Sequence, residues 1–345
     1  MRRDPRRSAC RAPPKKPLDQ QVIVITGASS GIGLATARMA AARGARVVLA
    51  ARNGEALAEI QAEIERHGGA AIHVVTDVSD RAQVEALARA AIDRYGRIDT
   101  WVNDAGLSII GRLEEIEDGD HRRLFDVNFW GVVYGSLVAL PHLKESGGTL
   151  INLGSVASDV AFPLQGMYSA SKHAIKGFTD SLRIELKEEG APVAVTLIKP
   201  AAIDTPFPAH ARNYTDREPK LPPPVYRTEE VAEAILHAAV HPRRDIYVGG
   251  GGRIMSAAQA VAPRVFDAVG SGMAGLQMRE EPPRRPEGSL YQAGVGGQTA
   301  GSHPGYVMRR SLYTRGTLHP LTTAAVVAGV GLAAAASLLG GTRHR

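Results

Sequence analysis

Residues 22–33 read VIVITGASSGIG, and this stretch decides the fold. Val22 to Ile25 form a short uninterrupted apolar run, as expected of a strand buried on both faces. A turn with glycines at 27, 31 and 33 follows, and then an Ala-rich helical stretch from Leu34 to Ala42. Glycines so placed let the backbone turn tightly and approach a pyrophosphate, whose charge suits the free N–H groups of a helix N-terminus. The order strand, turn, helix separates this pattern from an ordinary glycine-rich turn. Working outward, strands are expected near 22–26, 46–50, 72–76, 98–102, 149–153, 194–198 and 245–248. Between them, Glu55 to Arg66 places Leu57, Ile60 and Ile64 on one helix side, and Arg81 to Tyr95 places Val84, Leu87, Ala91 and Ile92. Seven strands with six crossovers predict an α/β architecture: a doubly wound parallel seven-stranded sheet, with ligand at the carboxyl ends of the strands where their order reverses.

A second signal is the run Tyr168, Ser169, Ala170, Ser171, Lys172, preceded thirteen positions earlier by Ser155. Tyr and Lys four apart on a helix project from one face about 6 Å apart along the axis. An ammonium there favours the ionised phenol, whose ordinary pKa of about 10 is too high for acid/base work near neutrality. The spacing alone is common by chance; its context supplies the specificity.

That context resembles the short-chain dehydrogenase/reductase family, in its single-domain branch, over roughly Gln21 to Gly250. The resemblance rests on motifs in the family's order: the Gly27, Gly31, Gly33 turn; Asp77 after the third strand; Asn103, Asp104, Ala105, Gly106 after the fourth; Asn128; Ser155; Tyr168 with Lys172; and Pro200 to Thr205. It implies a Rossmann fold and hydride transfer between a nicotinamide cofactor and a carbonyl or alcohol. In the reductive direction Tyr168 would donate the proton and Ser155 would hold the substrate oxygen. Lys172 would hold the ribose and lower the Tyr168 pKa, and Asn128 would order a water leading to Lys172. Cofactor contacts are expected from Gly27, Ser29, Ser30, Gly31, Ile32, Gly33, Asp77, Val78, Asn103, Ala105, Gly106, Lys172, Pro200, Ile203 and Thr205. Two departures stand out: Asp104, where the family more often has Asn, and Ala201, where it usually has Gly.

Cofactor choice turns on the end of the second strand. A carboxylate there would bond the ribose hydroxyls of NAD and repel a 2′-phosphate; this chain has Ala51 and then Arg52, which favours NADP, with NAD as the alternative. Downstream, Pro206 to Pro224 is rich in Pro and reads as a substrate lid without regular structure. Phe162, Leu164, Met167 and Phe207 are the expected substrate contacts, and their character suits a hydrophobic or alicyclic carbonyl compound. The histidines show no metal-ligand spacing, and the chemistry needs no metal.

Composition sets the remaining bounds. The net charge of +6 belongs wholly to residues 1–17, which carry seven Arg or Lys against Asp4. The rest of the chain is balanced, which argues against a nucleic-acid partner. Residues 1–20 read as a disordered basic tail, holding the single cysteine, Cys10, so no disulfide framework exists and a reducing cytosol suits the chain. Residues 21–250 form the catalytic domain and 251–319 an extension, with Ile254 to Met278 an amphipathic helix and Arg279 to Leu318 loose because of its Gly, Pro and Arg content. Residues 320–340 read as a hydrophobic helix. Leu321 to Leu339 is uncharged for nineteen residues, about 28 Å as a helix, so membrane anchoring of a cytoplasmic catalytic domain is expected, although seven of the nineteen are Ala. Phe129 to Leu140 is apolar but too short to span. The resemblance implies a homo-oligomer paired through helices starting near Asp120 and Tyr168. Retention of both Tyr168 and Lys172 argues against a catalytically silent nucleotide-binding scaffold, and neither the glycine spacing nor a separate substrate domain of sugar-nucleotide epimerases is present.

Overall fold

The computed structural model describes residues 15–320 and Thr323. Cys10 and nearly all of the apolar segment 321–339 lie outside the described residues. Seven parallel strands form the central sheet: β1 Val22–Thr26, β2 Arg46–Ala51, β3 Ala70–Val75, β4 Thr100–Asn103, β5 Thr149–Leu153, β6 Ala194–Pro200 and β7 Asp245–Val248. Their spatial order is β7-β6-β5-β4-β1-β2-β3. The reversal falls between β1 and β4, so the crevice that receives ligand opens there, beside the glycine turn.

The strands are short and most are rich in Val, Ile and Leu because helices cover both sheet faces. On one face, Ile23, Ile25, Val47 and Leu49 pack with Leu34 of α1 (Gly31–Ala42), Leu57 and Ile60 of α2 (Gly54–Arg66) and a late helix, Thr228–Val240. On the other, Val22, Val24 and Trp101 meet Val84 and Leu87 of α3 (Arg81–Tyr95) and the two long central helices. Asp80 caps α3 by accepting from the Ala82 and Gln83 N–H groups, and Gly96 ends it with a φ of 74°. The first central helix is α4 (Asp118–Phe125), continued through a π-helical turn, Asp126–Trp130, into α5 (Gly131–Ser146). The whole span Asp118–Ser146 is long and apolar enough to cross a bilayer, but half of its most apolar window is buried inside the fold, as for any core helix. The second is α6 (Gly166–Glu189).

The lid has some order. A one-turn helix α7, Phe207–His210, follows β6, Arg212–Asn213 pairs with Ile109–Ile110, and α8 (Thr228–Val240) returns the chain to the sheet. The expected single helix from Ile254 to Met278 is two, α9 (Gly250–Val261) and α10 (Pro263–Leu276). Pro263 has no N–H to continue the ladder, so the helix breaks before it. The larger difference lies beyond Arg279. Where the composition reads as loose, the chain packs on the domain: Leu290 is 1% exposed inside the second core, and α11 (Leu312–Leu318) buries Thr314 and Leu318.

Candidate active site

The carboxyl ends of β1, β2, β4, β5 and β6 surround a cleft of about 640 Å³, within the usual range of ligand sites. At its far end, Ser155 leaves β5 in an extended conformation, and its Oγ accepts the Ala157 N–H at 3.1 Å, while its own N–H is held by Ser158 Oγ. This reciprocal cap fixes the Ser155 side chain. From α6, Tyr168 and Lys172 reach the same place: the Lys172 Nζ donates to the Leu153 carbonyl at 2.8 Å and lies 5.7 Å from the centre of the Tyr168 ring. The π-helical turn presents Asn128, fully buried, whose Oδ1 accepts the Leu107 N–H at 2.7 Å and whose Nδ2 donates to the Leu107 carbonyl and to Ser171 Oγ. A Cβ at Gly106 would stand 3.6 Å from Asn128 Oδ1 and 3.9 Å from Lys172 Nζ, so glycine keeps the space between these two groups open.

The electrostatics differ from the simple expectation of a depressed phenol. Burial pushes the Tyr168 phenol up to about 12; the Ser155 hydroxyl opposes the shift and the Asp104 carboxylate adds to it. Lys172 itself is lowered by burial to about 8, against the pull of Asp104. Its ammonium is spent on the Leu153 carbonyl and the face of the ring rather than on the phenol oxygen. Asp104 is raised by burial to about 7, although Lys172 and the Gly33 N–H both favour its charged form. A carboxyl at this position therefore takes the first turn of α1 as its hydrogen-bond donor, and the Asp104 and Ala105 N–H groups donate to Thr26 Oγ1.

At the opposite end, the backbone at Gly27 has a φ of 73°, and a Cβ there would come within 2.9 Å of the Ala105 backbone. Only glycine fits, and the cradle it leaves suits a pyrophosphate. Ser29, Ser30, Gly31, Ile32, Arg52, Asp77, Val78, Ala105, Gly106, Pro200, Ile203 and Thr205 line the cleft with Gly27 and Lys172, as the motifs imply. Gly33 does not line it; it backs the turn, where a Cβ would lie 2.4 Å from the Gly27 carbonyl oxygen. Asn103 is also set back. Its buried amide accepts from Trp101 Nε1 at 2.8 Å and donates to Asn152 Oδ1 at 2.9 Å, so it braces β4 against β5 rather than facing a ligand. Burial raises the Asp77 carboxyl, but hydrogen bonds from Arg123 and Ser79 outweigh this and hold it below its ordinary value. Ala201 needs no glycine backbone: among the described residues Leu164 is the one non-glycine with positive φ, and the Ala201 N–H donates normally to Val248.

Of the expected substrate contacts, Phe162 and Phe207 line the cleft, the latter with its ring 5.6 Å from that of Tyr168. Leu164 packs instead beside Ile110, Ala211 and Met278, and Met167, half-buried, packs against the edge of the core. Met255 and Pro223 add apolar lining, Gln165 adds an amide, and Ser289, Ala293, Gly294 and Val295 line the cleft from beyond the region of resemblance. No local pattern marks these last four residues; they reach the cleft by the path of the chain. Among the described residues no group of three or more His, Cys, Asp or Glu is arranged to hold a metal ion.

The family model of short chain dehydrogenases matches residues 21–215. An uncharacterised oxidoreductase of Bacillus subtilis, YxnA, is 46% identical over 320 residues, covering 91% of this chain and 90% of its own length. The 11-beta-hydroxysteroid dehydrogenase A of Sesamum indicum is 35% identical over 236 residues, covering 65% of this chain and 67% of its own. Among solved structures, a short chain dehydrogenase/reductase from Burkholderia phymatum in complex with NAD superposes with a TM-score of 0.66 at 30% identity, over 72% of this chain and 96% of that one. An alcohol dehydrogenase from Thermococcus sibiricus complexed with 5-hydroxy-NADP gives a TM-score of 0.58 at 29% identity, over 66% and 95%. The family match over more than half of the chain and the superposition on two members of known structure agree, and the chain belongs to the short-chain dehydrogenase/reductase family of nicotinamide-dependent oxidoreductases acting on CH–OH and C=O groups.

Proposed function

We propose that this protein transfers hydride between NADPH and the carbonyl or secondary alcohol of a hydrophobic substrate, with Tyr168 as general acid and base. The observation that carries this reading is the meeting of Ser155, Tyr168 and Lys172 in the same cleft that the glycine turn lines. A nicotinamide dinucleotide supplies or accepts the hydride when bound there. The chain's own residues do the rest. Tyr168, protonated through neutral pH because burial raises it, gives its proton to the forming alkoxide. Ser155 holds that oxygen, and Lys172 and Asn128 supply a polar route behind the phenol.

The absence of a carboxylate at the end of β2, with Arg52 lining the cleft, supports NADP. One observation favours NAD as a second reading: the Arg52 guanidinium already donates to the Ser289, Leu290 and Tyr291 carbonyls, leaving fewer donors for a 2′-phosphate. Phe162, Phe207 and Met255 support an apolar or alicyclic substrate, in keeping with the name of the sesame relative. Exposed Trp130, Leu137 and Ile184 on the central helices support pairing of two copies there. The apolar segment 321–339 supports a membrane anchor on a cytoplasmic catalytic domain.

The test is a panel of carbonyl compounds with NADPH and NADH on wild type and Tyr168→Phe. Reduction should fall by roughly 10²–10⁴-fold in the variant while cofactor binding is retained; undiminished turnover would reject the role of Tyr168. In the same panel, wild type should bind NADPH more tightly than NADH and Arg52→Ala should narrow that preference; a wild type that binds the two equally, or NADH more tightly, would select the second reading.

A further inference from the structure

Residues 286–303 cross the outside of the cleft along the half formed by the glycine turn and the end of β2. The segment is anchored at one end on the lid, where the Asn213 N–H donates to the Pro286 carbonyl and the Ser289 N–H to the His210 carbonyl, each at 2.8 Å. It then passes over β2, where Arg52 holds the carbonyls of three consecutive residues and Asn53 Nδ2 donates to the Gly294 carbonyl at 3.0 Å. At the turn, the Gly297 N–H donates to the Ser29 carbonyl at 2.8 Å and the Gly31 N–H to the Gln298 carbonyl at 2.9 Å. The far end is tied by Thr228 Oγ1 to the Thr299 carbonyl and by the His303 N–H to Asp204 Oδ1. Glycines permit this approach: a Cβ at Gly288 would lie 2.5 Å from the Ala211 carbonyl oxygen, and one at Gly296 would lie 2.3 Å from Ala56 Cβ.

Beneath this segment the cleft persists, with Ser289, Ala293, Gly294 and Val295 as its outer wall. These bonds take up the Gly31 N–H and the Arg52 guanidinium on the cofactor side, and none falls on Ser155, Tyr168 or Lys172. The Burkholderia structure is covered over 96% of its length by only 72% of this chain, so most of the extension has no counterpart there. By contrast, a continuous match over 91% of this chain, as with YxnA, necessarily includes residues 286–303.

We propose that residues 286–303 are a retaining strap that closes the dinucleotide into the cleft, so that the cofactor stays bound through successive turnovers while substrates exchange at the Phe162 and Met255 end. The proposal rests on the reading of the cleft as a nicotinamide site. Release of the dinucleotide requires the strap to detach from Arg52, Asn53 and the glycine turn together.

The experiment measures cofactor release, not turnover. Full-length protein is loaded with NADPH or NADH, chased with excess oxidised cofactor, and followed by nicotinamide fluorescence. Wild type should release over minutes. Gly288→Val with Gly296→Val, which wedges the strap outward at two points away from the cleft lining, should release at least about tenfold faster with an unchanged circular dichroism spectrum. Equal rates in two folded proteins would overturn the proposal. So would wild-type release complete within about a second, the slow end of ordinary lid opening, whether or not the variant folds. A wild type that binds neither dinucleotide would overturn the nicotinamide reading itself, and is recognised by the absence of any bound fluorescence to chase.

Discussion

Asp104 illustrates how one substitution changes a site's response to pH. Burial lifts its folded-state pKa to about 7, far above the ordinary carboxylate value near 4, so the neutral acid is the form that the fold favours. Its contribution to stability is full below the ordinary carboxylate pKa and is lost as pH rises through about 7. Asp104→Asn cannot ionise and keeps the hydrogen-bonding shape. It should melt higher than wild type at pH 8, with the gap narrowing toward pH 4; scanning calorimetry across that range checks this, and a gap independent of pH would refute it. Tyr168 is displaced in the same direction, to about 12, again because burial disfavours charge. With Tyr168 as the proposed general acid and base, reduction through the protonated phenol should therefore be insensitive to this group up to about pH 10, whereas oxidation through the phenolate should rise steadily with pH. Rates in both directions between pH 6 and 10 provide the comparison.

At the scale of elements, the site depends on a buried polar chain that holds its strands and helices in place. Trp101 Nε1 donates to Asn103, Asn103 to Asn152, and Asn152 Nδ2 to Thr179 Oγ1 at 3.0 Å, linking β4 and β5 to α6. Helix α5 crosses directly over this chain at Gly135, where a Cβ would fall 2.1 Å from Asn103 Oδ1. Gly135→Ala should cost about 1–3 kcal/mol in a urea titration, despite alanine's better helix propensity, because the helix must lift or the amide chain must break. The sheet, α2 and α3 are legible in the sequence because their apolar spacing is a local record of burial. The role of Asn103 is not, since a motif position reads the same whether its amide faces the ligand or the neighbouring strand. The split at Pro263 was available locally, but the apolar periodicity running through it conceals the break.

For the whole molecule, the extension behaves as part of the domain. Leu290, seventy-five residues beyond the end of the family match, is 1% exposed within the core of the α5 side. Leu290→Ala should cost about 2–5 kcal/mol, as for a core leucine, and a thermal melt indistinguishable from wild type would show that the strap packs only loosely.

The sequence by itself determined the parallel sheet, the glycine turn and the placing of Tyr168 and Lys172 on one helix face, because each is written in residues close together along the chain whose side chains or missing side chains carry the effect. Tertiary structure alone decided the high pKa of Tyr168, the inward turn of Asn103 and the path of residues 286–303 over the cleft. Those depend on burial and on main-chain groups brought together from distant positions. A backbone carbonyl facing Arg52 is present at every residue and leaves no mark in the sequence.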